Sequence, residues 1–290
     1  MLGTTPASAL RAAEALFEDS TIDSPHVQAM ALLAHALGTN HAGVLARLSD
    51  PLADRDAHSF ESLVARRLAR EPLQYILGRA DFLDFSVRVQ PGVFIPRPET
   101  EQLVATALHA WDQDHGWAID LCCGSGAVAV ALARGRSRAR ILAIDRAVTP
   151  RDVTLQNARD HEVDDRVTVC GGDLLTGVGP AGRARADLGA IVCNPPYAAS
   201  GEVVQPEVLD HEPALAWEAG PTGTEVYARV VPQAAEVLRP GRPLLLELGY
   251  GQAGAVRDLF ARDGRWDPVT IAEDFRGIPR VLTARRRQDR

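Results

Sequence analysis

Apolar residues recur at helical spacing through residues 1–75: Ala9-Leu10-Ala13-Leu16-Phe17, then Val27-Met30-Ala31-Leu33-Ala34-Leu37, then Phe60-Leu63-Val64-Leu68. Ser24-Pro25 reads as a helix start, with Pro in the first turn, and Gly38 as a stop. The pattern predicts a bundle of about four helices. Past it, Pro72–Gly78 and Phe82–Val89, with alternation at Phe85, Val87 and Val89, predict a hairpin over residues 76–93 that links two domains. Phe94–Glu101 is a proline-stiffened loop leading into a helix marked by Leu103, Val104, Ala107 and Leu108. From residue 117 strands and helices alternate. Strands are predicted at Trp117–Leu121, Ile141–Ile144, Val167–Val169, Ala190–Cys193 and Pro243–Leu248, with helices between them. Such alternation implies a parallel sheet covered on both faces, here over residues 94–290. Val269–Ile271 and Arg280–Ala284, joined without a helix, predict an antiparallel strand at one edge, and the tail Arg285–Arg290 is expected to fray.

Composition narrows the function classes. The chain has 290 residues, 46% hydrophobic and 24% charged, with a net charge of −7. That balance disfavours a broad phosphate-binding groove, so no direct nucleic-acid contact is expected. All non-His basic side chains are Arg, which excludes Schiff-base and other lysine chemistry. The four cysteines (Cys122, Cys123, Cys170, Cys193) form no C-x-x-C pair, so reduced thiols and no metal are expected. Neither a secretory signal nor an apolar run of membrane-spanning length is evident; a cytoplasmic monomer is the expectation.

The most informative residues are Asn194-Pro195-Pro196-Tyr197, at the carboxyl end of the strand Ala190–Cys193. Open α/β sheets bind ligands at such ends. The Asn carbonyl accepts from an NH2 group. The prolines lack N–H groups and fix φ, so nearby carbonyls are stiffly aimed. Tyr197 adds a flat face. Together they make a clamp for a planar group bearing an sp2 NH2, either a carboxamide or an aminopurine edge. The plain alternative is a strand ending in a proline turn.

A second set lies at neighbouring strand ends. Asp120-Leu121-Cys122-Cys123-Gly124-Ser125-Gly126 joins a strand to a helix, and its glycines permit a tight turn close to a ligand. Asp145 follows the next strand, where it can accept from ribose hydroxyls, and Asp173, beside Leu174, follows the third, where it can accept from an adenine amino group. A dinucleotide would call for G-x-G-x-x-G, whose third glycine is missing. A phosphate-free cationic ligand suits the loop better, and S-adenosylmethionine fits that description.

These motifs, with Pro72–Gly78, Ile95–Glu101, Asn157, Glu212-Pro213, Gly223, Tyr227, Glu247-Leu248-Gly249, Gln252, Gly277 and Arg280, resemble the release factor glutamine methyltransferases, the PrmC/HemK group. The resemblance covers nearly the whole chain. It implies a Rossmann-like seven-stranded class I methyltransferase domain with a small N-terminal helical bundle that docks the substrate. It also implies methyl transfer from S-adenosylmethionine to the side-chain nitrogen of the Gln in the Gly-Gly-Gln motif of a peptide chain release factor. Carried over, Asp120 and Cys122–Gly126 lie along the methionine and ribose moieties. Asp145 takes the ribose hydroxyls, Asp173 and Leu174 border the adenine, and Asn194–Tyr197 hold the glutamine, with Asn194 also contacting the cofactor. Arg97 and Glu99 either shape the mouth of the site or form an inter-domain salt bridge.

Several positions depart from the group's pattern. Cys122 stands where Gly is usual, so its Cβ crowds the methionine moiety unless the loop tolerates it. Arg146–Pro150 replaces a Ser-Pro-x-Ala run, Leu174 replaces an occasional aromatic, and Ala219-Gly220 replaces Gly-Gly. An adenine-N6 nucleic-acid methyltransferase shares the clamp but needs basic surface. A glutamine methyltransferase for another protein, such as a ribosomal protein, is equally consistent with the clamp, and a binding module that has lost methyl transfer remains the non-catalytic alternative.

Overall fold

The computed structural model describes residues 4–112, 115–177 and 188–288. The chain forms two compact units.

The first unit comprises Met1–Arg79 together with Gln205–His211. Its helices are α1 (Pro6–Asp19), α2 (Pro25–Ala36), α3 (His41–Leu45), α4 (Asp54–Leu68) and α5 (Leu73–Leu77). The apolar positions of α1, α2 and α4 converge, as their spacing predicts, and bury Leu10, Phe17, Leu33, Phe60 and Val64 in one core. A capping box starts α1: the Thr5 side chain accepts from the Ser8 N–H, and Ser8 Oγ accepts from the Thr5 N–H. Pro25 starts α2 as expected, but Ser24 sits at a φ of 51° and makes no side-chain cap bond. Gly38, at a φ of 59°, turns the chain out of α2.

The segment Pro72–Gly78 departs from the predicted hairpin. It is a single helical turn, closed by Gly78 at a φ of 71°. The consecutive residues Tyr75 and Ile76 are both buried, a pattern that a strand's alternation does not allow. The hairpin is instead β1 (Arg79–Phe82) and β2 (Phe85–Arg88).

The second unit comprises Ala80–Val204 and Glu212–Arg290. Its main elements are α6 (Pro98–Ala110), β3 (His115–Leu121), α7 (Ala127–Gly135), β4 (Arg138–Asp145), α8 (Val148–Asp160), β5 (Val167–Gly171) and β6 (Leu188–Cys193). After β6 come the short strand β7 (Ala198–Ala199), the helix α9 (Pro206–His211) that belongs to the first unit, the turn α10 (Ala214–Trp217) and β8 (Glu218–Gly220). The remainder is α11 (Glu225–Val237), β9 (Pro243–Glu247), α12 (Ala253–Asp263), β10 (Thr270–Glu273) and β11 (Pro279–Arg285).

Seven strands form one sheet in the order β10-β11-β9-β6-β3-β4-β5. Strands β9, β6, β3, β4 and β5 run parallel, the central ones as unbroken buried runs. Strand β11 is antiparallel to both neighbours. The antiparallel edge strand expected from sequence is β10, and β11 lies inside the sheet. Its Val281, Leu282 and Ala284 are buried against β9, whereas β10 has no buried residue and takes the exposed edge. The expected fraying also fails over the described tail: Arg285 pairs with Pro243, and the Arg286 N–H donates to the Arg242 carbonyl at 3.0 Å. Strand order reverses between β3 and β6, so the ligand crevice of such a sheet opens at their carboxyl ends. No described helix is long and apolar enough to cross a membrane.

Candidate functional site

The turn after β3 is shaped by three left-handed residues, Cys122 (φ 60°), Gly124 (φ 56°) and Gly126 (φ 79°). Gly126 has a second reason to lack a side chain: a Cβ there would lie 2.7 Å from Thr154 Cγ2 on α8. Asn157, also on α8, holds the turn from behind. Its Nδ2 donates to the Ser125 carbonyl at 2.8 Å and the Arg88 carbonyl at 3.1 Å, and its Oδ1 accepts from the Arg88 N–H at 2.7 Å. Cys123 faces Thr154 Oγ1 at 3.4 Å, and burial pushes its thiol well above the usual range. The Cys122 side chain packs on the sheet core and touches buried Cys193, the β6 residue paired with Leu121.

Two acids border this turn. Asp145, at the end of β4, accepts from the Gly124 N–H at 3.1 Å and the Ala147 N–H at 2.9 Å. Burial raises its pKa, while those amides pull it back. Asp120 is 2% exposed, and its Oδ2 has no partner among the described residues. Burial, with Asp145 adding, pushes its carboxyl up to about 8.

The clamp follows β6. Asn194 Nδ2 donates to Thr100 Oγ1, on the first turn of α6, at 3.1 Å. The Tyr197 backbone is held at both ends: its N–H donates to the Trp217 carbonyl at 3.2 Å, and its carbonyl accepts from Gln252 Nε2 at 2.7 Å. Gly249 lets the ring settle, since a Cβ there would lie 2.9 Å from Tyr197 Cδ2. Burial drives the Tyr197 phenol up. Beneath it, Glu247 ends β9 almost fully buried. Its carbonyl accepts from the Tyr227 hydroxyl at 2.9 Å, and the same hydroxyl accepts from the Gly249 N–H at 3.3 Å.

The PrmC N-terminal domain family matches residues 8–78, and the methyltransferase small domain family matches residues 84–211. A release factor glutamine methyltransferase of Geobacter sulfurreducens is 39% identical over 267 residues, covering 91% of this chain and 90% of its own. That of Mycolicibacterium smegmatis is 37% identical over 280 residues, covering 96% and 97%. This chain belongs to the release factor glutamine methyltransferase family. Among solved structures, the catalytic domain of hMettl16 in complex with the MAT2A 3'UTR hairpin 6 matches with a TM-score of 0.57 at 17% identity, covering 78% of this chain and 82% of its own. That likeness concerns the fold alone.

The enzyme is a methyltransferase, and S-adenosylmethionine is its cofactor. The residues at the glycine turn fit it. The buried Asp120 Oδ2, without a partner among the described residues, suits a cationic ligand. Asp145 has lone pairs left for hydroxyl donors.

The other residues singled out by the sequence make contacts within the protein. Asp173 is exposed, and its Oδ2 accepts from Arg229 at 2.6 Å. Leu174, at a φ of 54°, inserts into the sheet core. Arg97 pairs with Glu212, whose Oε2 also accepts from the Ile95 N–H at 3.1 Å, and Glu99 pairs with Arg280 at 3.4 Å. All these partners lie inside the methyltransferase unit, so neither pair is the inter-domain bridge considered from sequence. His211, beside Glu212 in sequence, faces the Ala69 carbonyl in the helical unit.

Sequence reasoning gave no role to Thr100, Glu247, Tyr227 or Gln252. Glu247 was within reach of the rule that flagged Asp145 and Asn194: a polar residue closing an apolar run, Leu244–Leu246, is a strand-end residue.

Proposed function

We propose that this methyltransferase transfers the methyl group of S-adenosylmethionine to the side-chain amide nitrogen of the glutamine in the Gly-Gly-Gln motif of a peptide chain release factor. The observation that carries this reading is the orientation of Asn194. Thr100 takes its NH2 end, which leaves Oδ1 as the end available to an NH2-bearing planar substrate. The names borne by the relatives support a release factor as the protein substrate.

When bound, the cofactor supplies an electrophilic methyl carbon on a sulfonium. The chain's own residues do the positioning. Asn194 Oδ1 and the Pro195 carbonyl accept the two amide hydrogens of the glutamine, which orients the nitrogen, while Tyr197, pinned by Trp217 and Gln252, packs on the amide plane. Asp145 and Asp120 orient the cofactor through hydrogen bonds and charge, with Asp173 and Leu174 bordering the adenine. Pro196 stiffens the clamp, and Arg97 and Glu99 shape the entrance for the substrate loop. The helical domain, residues 1–75, docks the release factor, with the β1–β2 hairpin joining it to the methyltransferase domain, residues 94–290.

The test is incubation with labelled cofactor and a release factor, followed by mass-spectrometric mapping. Methylation of the Gly-Gly-Gln glutamine is expected. Asn194→Ala is expected to lower turnover at least ~100-fold with cofactor affinity unchanged. Methylation of adenine, or a near wild-type rate for the variant, would overturn the reading.

A further inference from the structure

Thr100 links the clamp to a buried carboxylate that the positioning scheme above leaves unused. Its Oγ1 already accepts from Asn194 Nδ2 at 3.1 Å. A hydroxyl carries one hydrogen, which must therefore point elsewhere. The carboxyl of Glu247, 1% exposed, faces it, and the Tyr197 hydroxyl faces the same carboxyl. Glu247 Oε2 has no hydrogen-bond partner among the described residues. Its backbone is fixed by the Tyr227 hydroxyl and by pairing with Val281 in β11.

We propose that Glu247, acting through Thr100, sets which end of the Asn194 carboxamide is presented to the substrate, and is a positioning residue for methyl transfer. The proposal rests on the clamp reading above. An ionised carboxylate only accepts hydrogen bonds. Facing it, Thr100 must donate to Glu247 and keep a lone pair for Asn194 Nδ2, so Oδ1 turns towards the substrate. A protonated Glu247 can donate to Thr100. Thr100 is then free to donate to Asn194, which favours the flipped amide. The flipped amide presents its own NH2 to the substrate's NH2, and the clamp fails.

The polarity of this chain is set near neutral pH. Burial pushes the Glu247 carboxyl up to about 7; the Thr100 hydroxyl pulls it down, Glu99 adds to the rise, and Arg280 and the Tyr197 hydroxyl oppose it. The other titratable groups facing Glu247 are the Tyr227 phenol and the Cys193 thiol. Burial drives both of these, and the Tyr197 phenol, upwards, so all three are neutral while Glu247 titrates. Turnover should rise as pH increases through the Glu247 pKa.

The sequence contains three asparagines, Asn40, Asn157 and Asn194, so protein labelled with 15N at asparagine gives three resolvable side-chain NH2 groups. In the wild-type protein the Asn194 pair is expected to shift with a midpoint near 7. In Thr100→Val it should stay fixed, and in Thr100→Ser the titration should return. With a release factor and S-adenosylmethionine, Thr100→Val is expected to lower kcat at least ~tenfold with KM unchanged. Thr100→Ser should recover most of the loss, and Glu247→Gln should remove the acid limb of the kcat–pH profile. An Asn194 pair that ignores pH in the wild-type protein overturns the proposal, as does a full-rate Thr100→Val in an assay where the wild-type enzyme methylates. If the wild-type enzyme gives no methylated glutamine, the clamp reading is what fails. The nitrogen titration still decides the hydrogen-bond chain.

Discussion

Asn157 Nδ2 donates to the Ser125 carbonyl at 2.8 Å, so a residue of helix α8 holds the glycine turn in place. The same carboxamide exchanges two further bonds with Arg88 on β2. Asn157→Ala strips three backbone groups of their partner. A loss of about 3 kcal/mol is expected, with cofactor affinity falling roughly tenfold as the turn loosens. Thermal melting and calorimetric titration check both; an unchanged melting temperature contradicts this account of the turn.

Asp120 couples stability and ligand binding to protons. Its carboxyl is held up to about 8 in the folded protein, against about 4 when unfolded. The folded state therefore holds the extra proton between these values. The stabilisation is complete below the unfolded pKa and is lost as pH rises through the folded one. Asp120→Asn is expected to flatten the dependence of melting temperature on pH over that window. A cationic cofactor should ionise Asp120, so binding near neutral pH should release up to about one proton. Calorimetry in buffers of different ionisation enthalpy measures it, and zero release counts against a cation beside Asp120.

Cys122 keeps a left-handed φ of 60° and turns its sulfur onto Cys193 and the sheet core. On that packing its side chain is expected not to crowd the cofactor. Cys122→Gly is expected to change S-adenosylmethionine affinity less than about threefold, because relief of the strained φ, about 1 kcal/mol, is offset by lost packing. A tenfold tighter Kd in the variant shows instead that the Cβ intrudes.

Glu212 sits with a side-chain exposure of 1%, holding Arg97, whose side chain is 29% exposed. Arg97→Ala leaves that carboxylate with the Ile95 N–H as its remaining partner of the two. A loss of about 2 kcal/mol is expected, below that of a fully buried pair because water reaches the arginine. Chemical denaturation with urea reads it, and Arg97→Lys should recover part.

Much of this architecture is legible in the sequence because strand ends announce themselves. Asp145, Asn194 and Glu247 each close an apolar run, Asp120 stands one residue before the end of β3, and parallel strands carry their ligands at that end. What is not legible depends on distant partners. Thr100 meets Asn194 across 94 positions of sequence, and nothing local to either residue forecasts the other. Asp173 follows the same strand-end rule, yet it is drawn to Arg229 on α11. Helix α5 and the hairpin shared one apolar stretch, and only Gly78, left-handed at the boundary, separates them. The place of β11 turned on which of two consecutive strands had more apolar surface to bury.

The chain passes between its two units three times, after residues 79, 204 and 211. On the middle visit it leaves Glu207 on the helical side, where Arg67 and Arg70 grip one carboxylate oxygen at 2.9 Å and 3.2 Å. The N-terminal bundle is therefore sewn in, not appended. A single cut after Arg79 would strand α9 without the arginines that anchor it. A chimaera between two relatives would have to exchange α9 together with the bundle for either parent's ion pairs to survive.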